Sequence, residues 1–494
     1  MTAWPEHPVI YEINTLIWLG ELSTRYGRPI TLGEVPAPAW DEVALPGVDA
    51  VWLMGVWERS PAGLEIALRD ESLQASFRAA LPDLRPEDVA GSPYCVRNYV
   101  VDAALGGPEG LAEARAQLAA RGVRLILDYV PNHVAPDHPW LTERPGCLVQ
   151  GTPDDLARDP GAFLETGGKV FARGRDPYFA PWPDVVQLNA FSDELRTAAV
   201  DTLASIGDQA DGVRCDMAML LMTDVFAKTW GERAGTSPAE DFWPYVVPKV
   251  RERHPDLLFV AEAYWDLEWA LHQQGFDHCY DTRLYDRLLH EGADSVRGHL
   301  RADLGYQRGL VRFLENHDEP RAAATLSPER ERAAAVTVAT LPGATLWHEG
   351  QFEGRRVRPP VFLSRRPEEP LDKELLAFYH QLVTAVGSSG MRTGGEWRLL
   401  DCTGWPDNPS HENLIAWSWT TDSSRHLVVV NLSEQPAQGR VRLPWSDLRG
   451  GPRHLTELLS DSAYDRDGDE LVDLGLYVEL AGLHCHLLAV MPGS

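Results

Sequence analysis

Over roughly the first 350 residues, short apolar runs alternate with stretches of helical periodicity. The alternation predicts a repeating strand–helix fold. Eight candidate strands stand out: VIYEIN (9–14), AVWLMGVW (50–57), VRLILDYV (123–130), DGVRCD (211–216), DLLFVAEAY (256–264), FDHCYD (276–281), GLVRFLEN (309–316) and GATLWHEG (343–350). Helices are expected at 108–122, 193–209 and 328–343, the last with proline near its start and glycine at its end. Eight such repeats fit a (β/α)8 TIM barrel, with a doubly wound open sheet as the competitor. Polar residues close at least four of the strands. In a barrel all those ends meet on one face, whereas an open sheet gathers only the few near its switch point.

The spacing is uneven. Segment 134–184, rich in Pro, Gly, Asp and Trp, is expected to form an excursion after strand 3, a lid or wall over the barrel mouth. Beyond a helix at 372–387 the pattern changes to short strands with turn residues between them, including LIAWSW, HLVVVNLS, GRVRLPW, HLTELL and a run over 477–491. These predict a C-terminal antiparallel β-sandwich. The expected divisions are 1–133 and 185–390 for the two parts of the barrel, 134–184 for the inserted subdomain and 391–494 for the sandwich.

Composition narrows the partners. A net charge of −28 disfavours nucleic acid and anionic membrane, because both need a positive face. No apolar stretch is long enough to span a bilayer, and the N-terminal residues carry no signal-peptide pattern. The six cysteines lack CxxC or zinc-site spacing. A reduced, cytoplasmic protein acting on a small neutral substrate is the expectation. The seventeen tryptophans serve either core packing or apolar platforms for sugar rings.

Four segments carry the candidate chemistry: DYVPNH (128–133), DGVRCDMA (211–218), VAEAYWD (260–266) and FLENHDEPR (313–321). Alone, Asp216 at a strand end is more often a helix cap. Arg214, two residues earlier, points the same way in a strand and would keep the carboxylate ionised and oriented, as a nucleophile requires. Glu262 closes an apolar strand. Desolvation and the like charge of Asp216 would raise its pKa toward that of a general acid. His317 and Asp318 end the seventh strand; as an isolated pair they would be weak evidence of function. Asp128, Asn132 and His133 end the third strand, where a capped turn is the plain alternative.

Four motifs in this order resemble the α-amylase superfamily, glycoside hydrolase family 13, and the resemblance spans nearly the whole chain. It implies catalytic roles for Asp216 as nucleophile, Glu262 as acid/base and Asp318 as the clamp on ring hydroxyls. It implies substrate-binding roles for Tyr94, His133, Arg214 and His317. Asp128 corresponds to an aspartate that orients its neighbours. Asn132 matches an asparagine that binds calcium in many members, which leaves Ca²⁺ an option; Asp176 and Asp184 are further acids in the excursion, more simply solvated. The acidic turn YDRDGDE (464–470) lacks EF-hand spacing.

The chain departs from the family at Gly91, Cys95 and Asn98, where aspartates are frequent. It departs again at Met219 and Leu220, where many starch-cleaving members carry a lysine–histidine pair. Glu349 and Gln351 partly match the family pattern near strand 8, and Arg321 either orients Asp318 or solvates the rim. The resemblance implies retaining hydrolysis of small α-glucosides or maltooligosaccharides through a covalent glycosyl-enzyme, with the two carboxyl groups about 5–5.5 Å apart. A transglycosylase would use the same residues with a sugar as acceptor. A non-catalytic scaffold is the remote alternative, at odds with the full residue set. No cofactor is required by this chemistry.

Overall fold

The computed structural model describes residues 3–490, so Met491 of the last expected strand lies outside the described residues. Eight parallel strands close into a barrel: β1 (Val9–Asn14), β2 (Ala50–Met54), β3 (Arg124–Tyr129), β4 (Gly212–Cys215), β5 (Leu258–Ala261), β6 (His278–Tyr280), β7 (Leu310–Arg312) and β8 (Ala344–His348). Each strand pairs with its sequence neighbours, and β8 closes on β1 with Glu12 opposite His348. The (β/α)8 barrel is therefore the observed fold.

The helices start where the sequence offers caps. The Ser192 hydroxyl accepts from the Leu195 N–H to open Asp193–Gln209, and Ser327 does the same for Arg330 ahead of Pro328–Thr340. Strand β2 is shorter than its apolar run. Gly55 adopts φ +81°, a left-handed turn that ends the barrel strand, and Trp57–Arg59 leaves to pair with Val96–Val101 outside the barrel.

Alternation decides what faces the barrel axis. One packed cluster contains Ile10, Ala50, Trp52, Ile126, Leu258, Val260, Tyr280, Val311, Ala344 and Leu346, one or two from each of seven strands. Side chains two positions further along point the same way. From Ile10, Ile126, Val260 and Leu346 that step arrives at Glu12, Asp128, Glu262 and His348. On β4, Gly212 leads to Arg214 and then Asp216. An apolar plug thus lies below, and a charged layer lies above it at the C-terminal mouth.

Between β3 and β4 the chain makes a hairpin (Phe163–Thr166 with Lys169–Ala172), two short helices and a two-residue ladder from His133–Val134 to Val186–Gln187. After helix Lys373–Ser388 come two antiparallel sheets, one of six strands and one of three. They pack on each other through Leu414, Leu427, Val429, Ala437, Val441 and Val478, which gives the C-terminal β-sandwich. The acidic turn 464–470 divides between a strand, Ala463–Asp467, and a helix that Asp467 caps by accepting from the Glu470 N–H. No helix among the described residues is long and apolar enough to cross a membrane.

Candidate active site

Arg214 organises the mouth. Its side chain is almost fully buried, and its guanidinium lies among the rings of Trp52, Tyr94 and Tyr280 at 5.2, 5.4 and 5.7 Å. Nη1 donates to Asp216 Oδ1 at 2.7 Å and lies 3.7 Å from Asp128 Oδ1. Nη2 lies 2.8 Å from Glu262 Oε2, at ion-pair distance though off the line of a hydrogen bond. One planar cation therefore faces three carboxylates. Asp128 is fixed from behind, since its Oδ2 accepts from Trp52 Nε1 at 3.1 Å and from the Gly55 N–H at 3.2 Å.

Glu262 Oε2 also accepts the backbone N–H of Met217 at 2.7 Å. Met217 delivers that N–H from a left-handed conformation, φ 43°, which a non-glycine residue adopts at a cost of order 1 kcal/mol. Burial pushes Glu262 up to about 7, with Asp216 and Asp318 adding to the rise and Arg214 opposing it. Burial likewise raises Asp128 to about 6 against the pull of Arg214.

The other wall belongs to His317. Its Nε2 meets the Tyr94 hydroxyl at 2.7 Å and Asp318 Oδ2 at 3.0 Å, and Tyr94 stacks on the ring at 5.3 Å. Asp318 is the exposed member of the group, with 48% of its side chain accessible. Its surroundings would raise it, but the His317 cation outweighs that effect and holds it well below the usual carboxylate range. His133 sits beside Trp182, and burial lowers it although Asp216 pulls the other way.

The structure thus brings Tyr94, Arg214, Asp216, Glu262, His317 and Asp318 into one charged cleft, with His133 close to Asp216. It gives other placements to the remaining candidates. Arg321 neither orients Asp318 nor lies at the rim: it is buried and bonds Glu315, His348 Nδ1 and the Glu349 carbonyl. Met219 and Leu220 are core residues, which leaves Met217 and Met222 as the partly exposed members of that loop. Glu349 and Gln351 are buried scaffold, paired with Arg366 and with Tyr379.

Asn132 is engaged by Gln187, whose Nε2 lies 2.9 Å from both Asn132 O and Oδ1 and 3.0 Å from Leu188 O, so two N–H groups are shared among three oxygens. Asp176 Oδ1 accepts from the Tyr178 and Phe179 N–H groups of its own turn. No group of three or more His, Cys, Asp or Glu that could hold a metal occurs among the described residues.

Sequence reasoning missed several parts of the cleft. Glu12 sits inside an apolar strand, and only strand parity gives it away. Trp52 and Tyr280 belong to the barrel's packed cluster and also border the Arg214 guanidinium. Arg358 arrives from the loop after β8 and donates to the Asp318 carbonyl, a contact with no local sequence signal.

No family model matches the chain. Among curated proteins it is similar to the alpha-amylase MalA of Haloarcula japonica, 25% identical over 450 residues, covering 88% of this chain and 56% of that protein. It is also similar to the alpha-1,4-glucan:maltose-1-phosphate maltosyltransferase of Burkholderia pseudomallei, 26% identical over 220 residues, 43% of this chain and 16% of that protein. The chain thus spans about half the length of the first relative and less of the second. Among solved structures, the noncanonic maltogenic alpha-amylase AmyB of Thermotoga neapolitana superposes with a TM-score of 0.67 at 19% identity, over 99% of both chains. The α-amylase of Geobacillus thermoleovorans gives 0.68 at 16% identity over the whole of both chains.

Proposed function

Because the chain belongs to the α-amylase superfamily, glycoside hydrolase family 13, we propose that it cleaves α-glucosidic bonds of small α-glucosides or maltooligosaccharides with retention of configuration. The observation that carries this reading is the single Arg214 fork between Asp216 and Glu262. It holds one carboxylate aligned for attack, while burial raises the other to about 7, so that it carries its proton below neutral pH.

In the proposed reaction the Glu262 carboxyl protonates the glycosidic oxygen as that bond breaks. Asp216 Oδ attacks the anomeric carbon, forming a glycosyl ester and releasing the aglycone. Glu262, now a carboxylate, takes a proton from water, whose oxygen attacks the anomeric carbon and frees Asp216. Asp318, open to the cleft, accepts hydrogen bonds from ring hydroxyls. Tyr94 and His133 bound the same sugar, and Arg214 Nη1 orients Asp216 Oδ1 through its 2.7 Å hydrogen bond.

A second reading, transfer of the glycosyl unit to a sugar hydroxyl, is favoured by one observation. Trp265, three residues after Glu262, meets Tyr178 of the excursion edge to face at 4.9 Å, and Phe179 beside it is 72% exposed. Such rings suit the apolar faces of an acceptor sugar.

The experiment is incubation with α-glucosides that differ in linkage and aglycone, with and without added acceptor, followed by product identification and anomeric analysis. Retained α-configuration in the first-formed sugar is expected, and Asp216→Asn should abolish turnover while keeping the fold. An inverted product would overturn retention. An inactive parent across the panel would revive a non-catalytic role.

A further inference from the structure

Glu12 lies on β1, outside all four motif segments, and its side chain is completely buried. Its Oε1 lies 2.5 Å from His317 Nδ1. On the opposite edge of the same ring, Nε2 lies 3.0 Å from Asp318 Oδ2 and 2.7 Å from the Tyr94 hydroxyl. A neutral imidazole has one N–H, whereas two carboxylates on opposite edges call for two. In a neutral ring Nε2 could accept the Tyr94 O–H, but its lone pair would then face the Asp318 carboxylate 3.0 Å away, so the imidazolium alone suits both carboxylates. We propose that Glu12 is a positioning residue that holds His317 doubly protonated, so that a fixed cation orients Asp318 as an anion facing the cleft.

The surroundings favour this arrangement. Trp52 of β2 stands edge-on to the imidazole at 5.5 Å, and Tyr94 stacks on it from the loop before residues 96–101, so the ring is packed in place beside Glu12. The titratable and charged groups around it are Glu12 from β1, Asp128 from β3, Arg214 from β4, His348 from β8, Tyr94, and Asp318 on its own loop. His348 is pushed far below the ordinary imidazole range by burial and by Arg321, so it stays neutral and does not compete for Glu12. Burial alone would lower His317, but Asp318 and Glu12 together outweigh it and raise the ring well above 6.5. Glu12 itself is held below its ordinary value, since the attraction of His317 overcomes desolvation. Its second oxygen, Oε2, is buried with no hydrogen-bond partner, so the carboxylate has His317 as its one hydrogen-bonded counter-charge.

The protonation state is independent of the activity. Its consequence for turnover rests on the proposed α-glucoside chemistry. The test therefore has two parts. In protein labelled with ¹⁵N-histidine, His317→Gln identifies the His317 signals, and the parent is titrated. Both ring nitrogens are expected to carry protons at pH 8. In Glu12→Gln the amide oxygen can still accept the Nδ1 proton but brings no charge, and the His317 midpoint should fall by at least about one pH unit.

In Asp318→Asn, where the other carboxylate is gone, His317 should remain doubly protonated at neutral pH. This variant decides the matter should Glu12→Gln not fold. On an active glucoside, the ratio of kcat/KM in Glu12→Gln to that in the parent should fall as pH rises, because the variant loses the cation first. A purely structural role would lower the ratio equally at every pH. A neutral His317 at pH 8 in the parent, an unmoved midpoint in Glu12→Gln, or loss of the charge in Asp318→Asn would each overturn the proposal. An inactive parent would sink the proposed function and leave the titration to stand or fall alone.

Discussion

Glu262→Gln should make the protein relatively more stable at alkaline pH. The parent carboxyl is 3% exposed and raised from 4.5 to about 7, chiefly by burial. Its folded value thus exceeds its unfolded one. The stabilising share of this group is complete below about pH 4.5 and is lost as pH climbs through about 7. One pKa unit corresponds to about 1.36 kcal/mol, so the full swing is on the order of 3 kcal/mol. Between pH 5 and pH 8 the linkage relation gives about 2.5 kcal/mol of it. Glutamine has no proton to lose.

Unfolding free energies from urea titrations of parent and variant, followed by tryptophan emission, supply the difference at each pH. Groups remote from Glu262 titrate alike in both proteins and cancel. The lost contact with Arg214 shifts the difference but not its slope. The parent-minus-variant value should drop by about 2.5 kcal/mol from pH 5 to pH 8. The same group sets the alkaline limb of kcat/KM in the parent, expected near pH 7 because the general acid must arrive protonated. A difference flat to within about 1 kcal/mol, together with a limb far from 7, would refute the assignment of a raised, proton-donating Glu262.

Removing the shared cation should be severe. Arg214→Met leaves buried carboxylates unpaired and should cost about 3–5 kcal/mol of stability in denaturant titration. Arg214→Lys, a point charge without the fork, should keep more of the fold and still lose most of kcat/KM. Gln187→Ala removes the amide donor from Asn132 and Leu188 and should cost about 1–3 kcal/mol by the same assay. A chelator should leave the parent Tm unchanged, and a Tm drop reversed by calcium would refute the amide-filled reading of that site. Trp265→Ala should weaken acceptor use by roughly two- to tenfold, the worth of one aromatic contact, read as the transfer-to-hydrolysis ratio against acceptor concentration.

What could be read in the sequence follows from where the polar residues sit. Asp216 and Glu262 each directly follow a barrel strand, and that abrupt change of character marks a strand stopping at a functional face. Asp318 instead lies in the loop beyond β7, which ends at Arg312 rather than at the expected His317 and Asp318. Glu12 breaks no such rule. It lies between Tyr11 and Ile13 and changes nothing in the apolar count, so only the two-residue parity from Ile10 reveals that it points inward. Arg321 misled for the opposite reason. It stands three residues beyond Asp318, but Glu315 and the Glu349 carbonyl draw its guanidinium away toward β8. The end of β2 was legible in principle, since Gly55 interrupts the run, but the apolar residues after it hid the left-handed turn. Arg358 belongs to a loop, and no periodicity says where a loop arginine reaches.

The charge balance of the cleft explains why its acids behave differently although all are carboxylates. Asp318 and Glu12 share His317, one on each edge of the ring, and both are held low. Arg214 is one charge facing Asp128, Asp216 and Glu262. It gives its one aligned hydrogen bond to Asp216, and the pair with the most burial and the poorest alignment rises instead. A buried site with fewer cations than acids must keep protons. Here geometry decides which acids keep them, and Glu262, beside the aligned nucleophile, is one of them. Adding a further cation beside Glu262 would ionise it and remove the proton donor. The scarcity of positive charge in the cleft is therefore a requirement of the chemistry.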